Sequence, residues 1–300
     1  MSTSAATART PVRGVPPIFP RRPSRSRVVR GVARHIVLIL VLFLVLYPLL
    51  WMVSASLRPA NQTFGTLGLW PSGFTLDNYR VGWNYGTLQF SRYFLNSLVI
   101  SVLCIIGNIL SCSLAAYAFA RLQFPLKRVL FAFVLMTLLL PYQATLVPQY
   151  VLFNHFAWIN TILPLVVPKY LATDAFFVFL MVQFIRTLPR ELEDAAKLDG
   201  CGHIGIFARI VVPLTLPAIG TTALFTFIRT WDDFLGPLLY LNDPNKWTVT
   251  VGLNGFLDTT GVSAFGPLFA MATVSIAPIV GFFLVSQRML VEGVATTGIK

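Results

Sequence analysis

Charge is scarce in this 300-residue chain: Asp, Glu, Lys and Arg together make up 11% of it, and only 11 residues are acidic. Soluble domains carry about 25% charged residues, so the deficit excludes an ordinary water-exposed fold. Cysteine is nearly absent as well. Cys104, Cys112 and Cys201 form no C-x-x-C pair and read as small buried hydrophobes rather than a disulfide or metal framework. His35, His155 and His203 are too scattered for a metal site. The chain has no G-x-x-x-x-G-K-[ST] loop, which excludes nucleotide binding by that means. Internal repeats are also missing, which counts against secondary transporters built from inverted repeats.

What the chain does have is apolar length, with 56% hydrophobic residues and a mean hydropathy of +0.73. Five runs are free of charge: Ile36–Leu57, Tyr93–Ala120, Val129–Phe153, Ile210–Ile228 and Thr259–Gln287. Each reaches the ~18–20 residues that cross a bilayer as a helix. A sixth, Asn160–Ile185, is long enough but carries Lys169 and Asp174. The expectation is an all-α integral membrane protein with six transmembrane helices in one domain, residues 35–288. The net charge of +12 raises the question of nucleic acid, but the basic residues sort by side. With the N-terminus inside, only Arg58, Arg80, Arg92 and Lys246 fall in outer segments, while Lys169 and Arg229 lie within spans. The positive-inside rule then puts both termini in the cytoplasm and leaves no role for nucleic acid.

Residues 1–34 are rich in Arg and Pro and contain no acid, a composition expected to be disordered. A signal peptide is the competing reading, but its apolar region would be about 7–15 residues, shorter than Ile36–Leu57. The outer loop 58–92 carries Trp70, Trp83 and Tyr85, residues suited to the membrane interface. Asn96, Ser101, Asn108, Ser111 and Ser113 in the second span are expected to face other helices. Pro141 should kink the third span, and Pro164 and Pro168 sit inside the fourth. The fifth span is expected at about Pro213–Leu235 and the sixth at about Gly266–Gln287, with a tail at 289–300.

The polar segment 186–212 between the fourth and fifth spans is the most informative stretch. Pro189 suits the first turn of a helix, and Glu191, Glu193 and Asp194 follow where the helix dipole favours acids. Leu188, Leu192, Ala195 and Ala196 recur at helical spacing and suggest one apolar face, with the small Ala195–Ala196 pair open to a partner backbone. Gly200 is placed to end that helix. A second short helix should present Ile204, Phe207 and Ile210 before Pro213 leads back into the membrane. The plain alternative is a helix lying on the headgroups, which the acids at 191–199 oppose against an anionic leaflet. Docking of another protein fits better.

Asp194-Ala195-Ala196, then Gly200, Ile210 and Pro213, resemble the E-A-A-x3-G-x9-I-x-L-P motif of ABC-importer permeases, with Asp194 replacing its glutamate and Val212 its leucine. Further blocks resemble the maltose-permease-like carbohydrate branch: Asn96-Ser97, Ala116-Tyr117-Ala118 with Arg121, Asn160-Thr161 with Pro164, Trp231-Asp232-Asp233-Phe234, Thr250-Val251-Gly252-Leu253 and the closing Gly298-Ile299-Lys300. Together they cover about residues 35–300. The resemblance implies a heterodimer with a second permease subunit and a separate ATP-binding subunit dimer seated on the 186–212 loop. ATP and Mg would be bound by that ATPase, with no cofactor in this chain and no enzymatic activity of its own. It also implies a solute-binding protein meeting outer loops such as 58–92 and 236–265. Coupling would involve Glu191, Asp194, Ala195, Ala196, Gly200, Ile204, Phe207, Ile210 and Pro213, with Gly298 and Lys300 as tail contacts to the ATPase.

Ionisable groups inside spans mark candidate solute paths, because each costs about 2.5–3.5 kcal/mol on insertion scales. Lys169 and Asp174 are five residues apart and should point about 140° from each other on a regular helix, so direct pairing is not expected unless the prolines bend it. Lys169 either faces a pore or snorkels to the interface. Arg229 precedes Asp232 and Asp233 by three and four residues, which fits an internal ion pair. The rival reading is a polar sugar lining with Trp231 or Tyr240 as a stacking surface. A carbohydrate is the expected solute, with a polyol or glycerol phosphate as the alternative. A secondary transporter or an intramembrane enzyme fits the residues less well.

Overall fold

The computed structural model describes residues 25–59, 68–70, 73–85, 89–257 and 264–297, and all regular structure among them is helical. The chain divides into two units, Met1–Leu49 and Leu50–Lys300. Helix α1, Arg25–Ser56, carries Pro48 inside it. It takes in the last ten residues of the expected disordered tail, 25–34. No proline lies between Pro23 and Pro48, and arginine is a good helix former. Between Val32 and Leu49 its large apolar side chains are exposed, as a lipid-facing helix requires.

In the second unit, α2 (Asp77–Trp83) precedes α3, Phe90–Arg121. At 32 residues, α3 is about 48 Å long at 1.5 Å per residue. Of the expected polar set, Ser101, Asn108 and Ser113 are buried, with Ser97 beside them, whereas Asn96 and Ser111 are half-buried. Asn108 Nδ2 donates to Thr226 Oγ1 at 2.8 Å, and Val249 N donates to Ser97 Oγ at 2.9 Å. A Cβ on Gly107 would sit 2.4 Å from the Tyr170 ring, so only glycine admits that approach.

The expected third span is not one kinked helix. Helices α4 (Lys127–Thr137) and α5 (Tyr142–His155) meet at 103°. Pro141 lacks an amide and disfavours the helical region for Leu140, so the chain turns there. The fourth span is broken too: α6 (Leu163–Val166) passes into a 3-10 turn, Val167–Leu171, and then α7, Ala175–Thr187. Ala172 between them takes a left-handed φ of 54°.

Helix α8 (Glu191–Leu198) and α9 (His203–Ile206) form the polar loop. Helix α9 continues through a π turn, Phe207–Val211, into α10, Val212–Leu214. Helix α11 is Leu216–Trp231, bent 76° from the preceding segment, so the fifth span starts after Pro213 and stops before Leu235. Next come α12 (Leu235–Tyr240), α13 (Val249–Asn254) and α14, Phe265–Thr297. The last runs ten residues past Gln287, so most of the expected tail is helical in backbone. Among the described residues four helical runs are long and apolar enough to cross a membrane, the interrupted Leu163–Thr187 being one of them, or six if each bent pair counts as one span. The core centres on α3 with α7 and α11. One cluster joins Tyr117, Phe177, Met181, Ile185, Ala196 and Ile206, and another joins Phe90, Phe227 and Trp231. Cys104 and Cys112 are buried free thiols, as expected, whereas Cys201 is only half-buried.

Candidate functional site

The loop forms because each local signal is obeyed. Leu188 leaves α7 extended, and α8 opens with Glu191, Glu193 and Asp194 in its first turn. Gly200 closes it at φ 81°, and a Cβ there would meet nothing within 4 Å. Backbone conformation, not space, therefore demands glycine. Gly200 N donates to Lys197 O at 3.0 Å and Cys201 N to Ala196 O at 2.9 Å, which satisfies carbonyls that the helix end leaves open.

The faces differ from the expectation. Ala196 and Glu193 are buried, whereas Leu192 and Ala195 are exposed. The adjacent alanines therefore do not form one outward pair: residues 100° apart on a helix split between inside and outside. The second helix also splits. Phe207 packs on Tyr117 at 5.4 Å between ring centroids, and Ile210 lies against the same core. Ile204 remains outside at 86% exposure and Leu198 at 91%. Glu191 and Pro213 are exposed as well. The outward surface is thus Leu192, Ala195, Leu198 and Ile204, rimmed by acids. Asp194 Oδ1 accepts from Lys197 Nζ at 2.8 Å. That hydrogen bond holds the Asp194 carboxyl below the usual range and pushes the Lys197 ammonium above its own.

Beneath the loop lies a contact that sequence spacing does not reveal. Arg121, the last residue of α3, places Nε 2.6 Å from Glu193 Oε1, with side-chain exposures of 5% and 8%. Its Nη2 donates to Ile185 O at 2.8 Å and Leu188 O at 2.7 Å. One guanidinium therefore joins the ends of α3 and α7 to α8. Its sequence signals are an arginine closing an apolar helix and the Ala116-Tyr117-Ala118 block before it, and neither points to Glu193.

The candidate path residues are rearranged. Lys169 Nζ and Asp174 Oδ2 form an ion pair at 2.7 Å, contrary to the divergence expected of a regular helix. The 3-10 turn and left-handed Ala172 remove the 100° step on which that expectation rests. Arg229 forms no ion pair with Asp232 or Asp233 among the described residues. Helix α11 ends at Trp231, so the aspartates leave the helix face. The Arg229 guanidinium instead lies over Phe176 and Phe177, 5.7 and 5.4 Å from their centroids. Asp233 Oδ1 accepts from Gly236 N at 3.1 Å, and Asp232 is exposed. Trp231 is buried and donates Nε1–H to Ser275 O at 3.0 Å. Tyr240 is buried beside Tyr150 and Phe153. Neither ring offers a free stacking face in this conformation. Asn160 ties the segment before α6 to the one after α12: Asp243 N donates to its Oδ1 at 3.0 Å, and Lys246 Nζ to its backbone oxygen at 2.7 Å. Gly298 and Lys300, expected to touch an ATPase, lie outside the described residues, as do residues 1–24.

Residues 107–296 match the family described as "Binding-protein-dependent transport system inner membrane component". The probable ABC transporter permease protein YurM of Bacillus subtilis is 31% identical over 93% of this chain and 92% of its own length. The arabinooligosaccharides transport system permease protein AraQ of Halalkalibacterium halodurans is 32% identical over 86% of this chain and 92% of its own. For the trehalose/maltose transport system permease protein MalG of Thermococcus litoralis the figures are 29%, 92% and 99%. A solved bacterial ABC transporter involved in import of the acidic polysaccharide alginate shares the fold, with a TM-score of 0.78, 19% identity, and coverage of 90% of this chain and 99% of that one. With a helical frame broken where its intramembrane charges sit and a match over well over half its length, the chain belongs to the inner membrane components of binding-protein-dependent ABC importers.

Proposed function

We propose that this chain is the permease subunit through which an ATP-driven importer moves a carbohydrate across the cytoplasmic membrane. Its energy comes from a separate ATP-binding subunit dimer docked on the α8–α9 loop. The carrying observation is the outward surface of Leu192, Ala195, Leu198 and Ile204: large aliphatics exposed beside acids on a loop whose other side is firmly packed. Such a patch on a rigid support is the anatomy of a protein interface. ATP and Mg belong to the docked subunit. A second permease subunit completes the membrane unit, and an extracytoplasmic binding protein delivers solute to the outer loops. Both termini lie in the cytoplasm under the distribution of basic residues.

The carbohydrate reading is supported by relatives named for arabinooligosaccharides and for trehalose/maltose. A glycerol phosphate would call for free cations along the path. Lys169 is matched by Asp174, Arg229 lies over two phenyl rings, and Asp232 and Asp233 add negative charge, so an uncharged solute is favoured. The path is assigned to Lys169, Asp174, Arg229, Asp232 and Asp233.

Ile204→Asp combined with Leu198→Asp tests the docking surface, since both positions are exposed and the change spares the core. Co-purification of the ATP-binding subunit should fall about tenfold or more, as for loss of central apolar anchors. Undiminished co-purification would remove the loop from the docking role.

A further inference from the structure

Helix α8 reaches the rest of the chain through few side chains. Of its residues only Glu193 and Ala196 are buried, and Glu193 is held by Arg121. Arg121 also grips the carbonyls of Ile185 and Leu188, at and just beyond the end of α7. Two turns and more up α3, Ser111 Oγ donates to Lys169 O at 2.6 Å, and the Cys112 thiol lies 3.8 Å from Asp174 O. Gly107 meets the Tyr170 ring a further turn along. A continuous set of contacts therefore runs from the loop, through Arg121 and α3, to the broken fourth span with its Lys169–Asp174 pair.

We propose that Arg121 and Glu193 are positioning residues for transport: their buried pair makes α8 and the inner ends of α3 and α7 move as one body, so that a pull on the loop arrives at the break around Lys169–Asp174. The proposal rests on the reading that α8 is where the ATP-binding subunit docks. A charged pair is a poor choice if only stability is needed. Apolar residues of similar size serve as well or better at buried sites, whereas a paired charge fixes relative geometry. Arginine suits that task because its planar fork engages several acceptors in fixed directions. Two backbone carbonyls accept from it and one carboxylate pairs with it by charge. Contiguity alone does not establish coupling, so the test must read motion.

Spin labels at Asp199→Cys on the loop and Leu114→Cys on α3, with Cys201→Ser, report the distance between the two parts by pulsed electron resonance. The sample is the assembled complex with its ATP-binding subunits, measured without nucleotide and with ATP trapped by vanadate. With Arg121 and Glu193 intact, the distance should change by less than about 2 Å between the two conditions, within ordinary helix adjustment. In Glu193→Gln, which keeps shape and removes charge, it should change by more than that or split into two populations. The double variant Arg121→Met with Glu193→Leu, which restores apolar packing, should behave like Glu193→Gln. A large change in the parent protein overturns the proposal. So does a distance in Glu193→Gln that is as insensitive to ATP as in the parent. Loss of the ATP-binding subunit from Glu193→Gln would make the pair part of the docking fold and also overturn it. Failure of the docking reading itself shows separately, as undiminished co-purification in the Ile204 and Leu198 variants.

Discussion

The ion pair at the root of the loop and the one in the middle of the fourth span hold opposite charges at nearly the same distance, 2.6 and 2.7 Å. They differ in everything else. Arg121 and Glu193 are 5% and 8% exposed, and the arginine has two backbone acceptors besides its carboxylate. Lys169 and Asp174 are 26% and 20% exposed, and the ammonium is a compact charge with a single carboxylate partner. The first is a joint held by two directed hydrogen bonds and a buried charge contact. The second can exchange its partner for water or a hydroxyl without leaving a group stranded. Charge separation alone thus says little about role, while the number of acceptors and the access of water say much. A third pair, Lys197–Asp194, extends the series outward at 50% and 65% exposure.

The comparison breaks most decisively at the joint. Arg121→Ala should destabilise the protein by about 3–5 kcal/mol, because it strands a buried carboxylate. A thermal midpoint in detergent, or the folded fraction on size exclusion, reads this directly. Lys169→Met should cost less, about 1–3 kcal/mol, as Asp174 keeps partial access to water. Should the two variants melt alike, the distinction between joint and exchangeable pair is lost. Lys197→Ala should leave the midpoint unchanged, because exposed pairs contribute little. Its signature is local and depends on pH. The carboxyl of Asp194 is held low by Lys197, so its contribution is complete above the ordinary Asp range near ~3.9 and disappears as pH falls through the lower folded value. Amide exchange in α8 should therefore quicken only on the acid side of that range, and Asp194→Asn should abolish the dependence.

Local chemistry was legible throughout. The acids of α8, its stop at Gly200 and the polar face of α3 follow from capping, dipole and small-residue rules that act within a few residues. Two kinds of feature were not. One depends on backbone irregularity: Lys169 meets Asp174 because a 3-10 turn and one left-handed alanine replace the regular helix, and Pro141 turns the third span instead of kinking it. The other depends on partners far along the chain. Arg121 finds Glu193, and Trp231 finds Ser275 on the last helix. The inward turn of Ala196 belongs to the second kind, since periodicity defines a stripe but not the thing it faces.

The π turn at Phe207–Val211 has a consequence for how that stripe continues. Ile206 and Val211 are both buried, yet five residues of regular α-helix would set them about 140° apart. The wider turn absorbs the surplus and brings both onto one side, with Phe207 and Ile210 between them against the same cluster. Counting by 3.6 across this segment therefore loses phase at Phe207, and the apolar seam that looks interrupted in the letters is unbroken in the molecule.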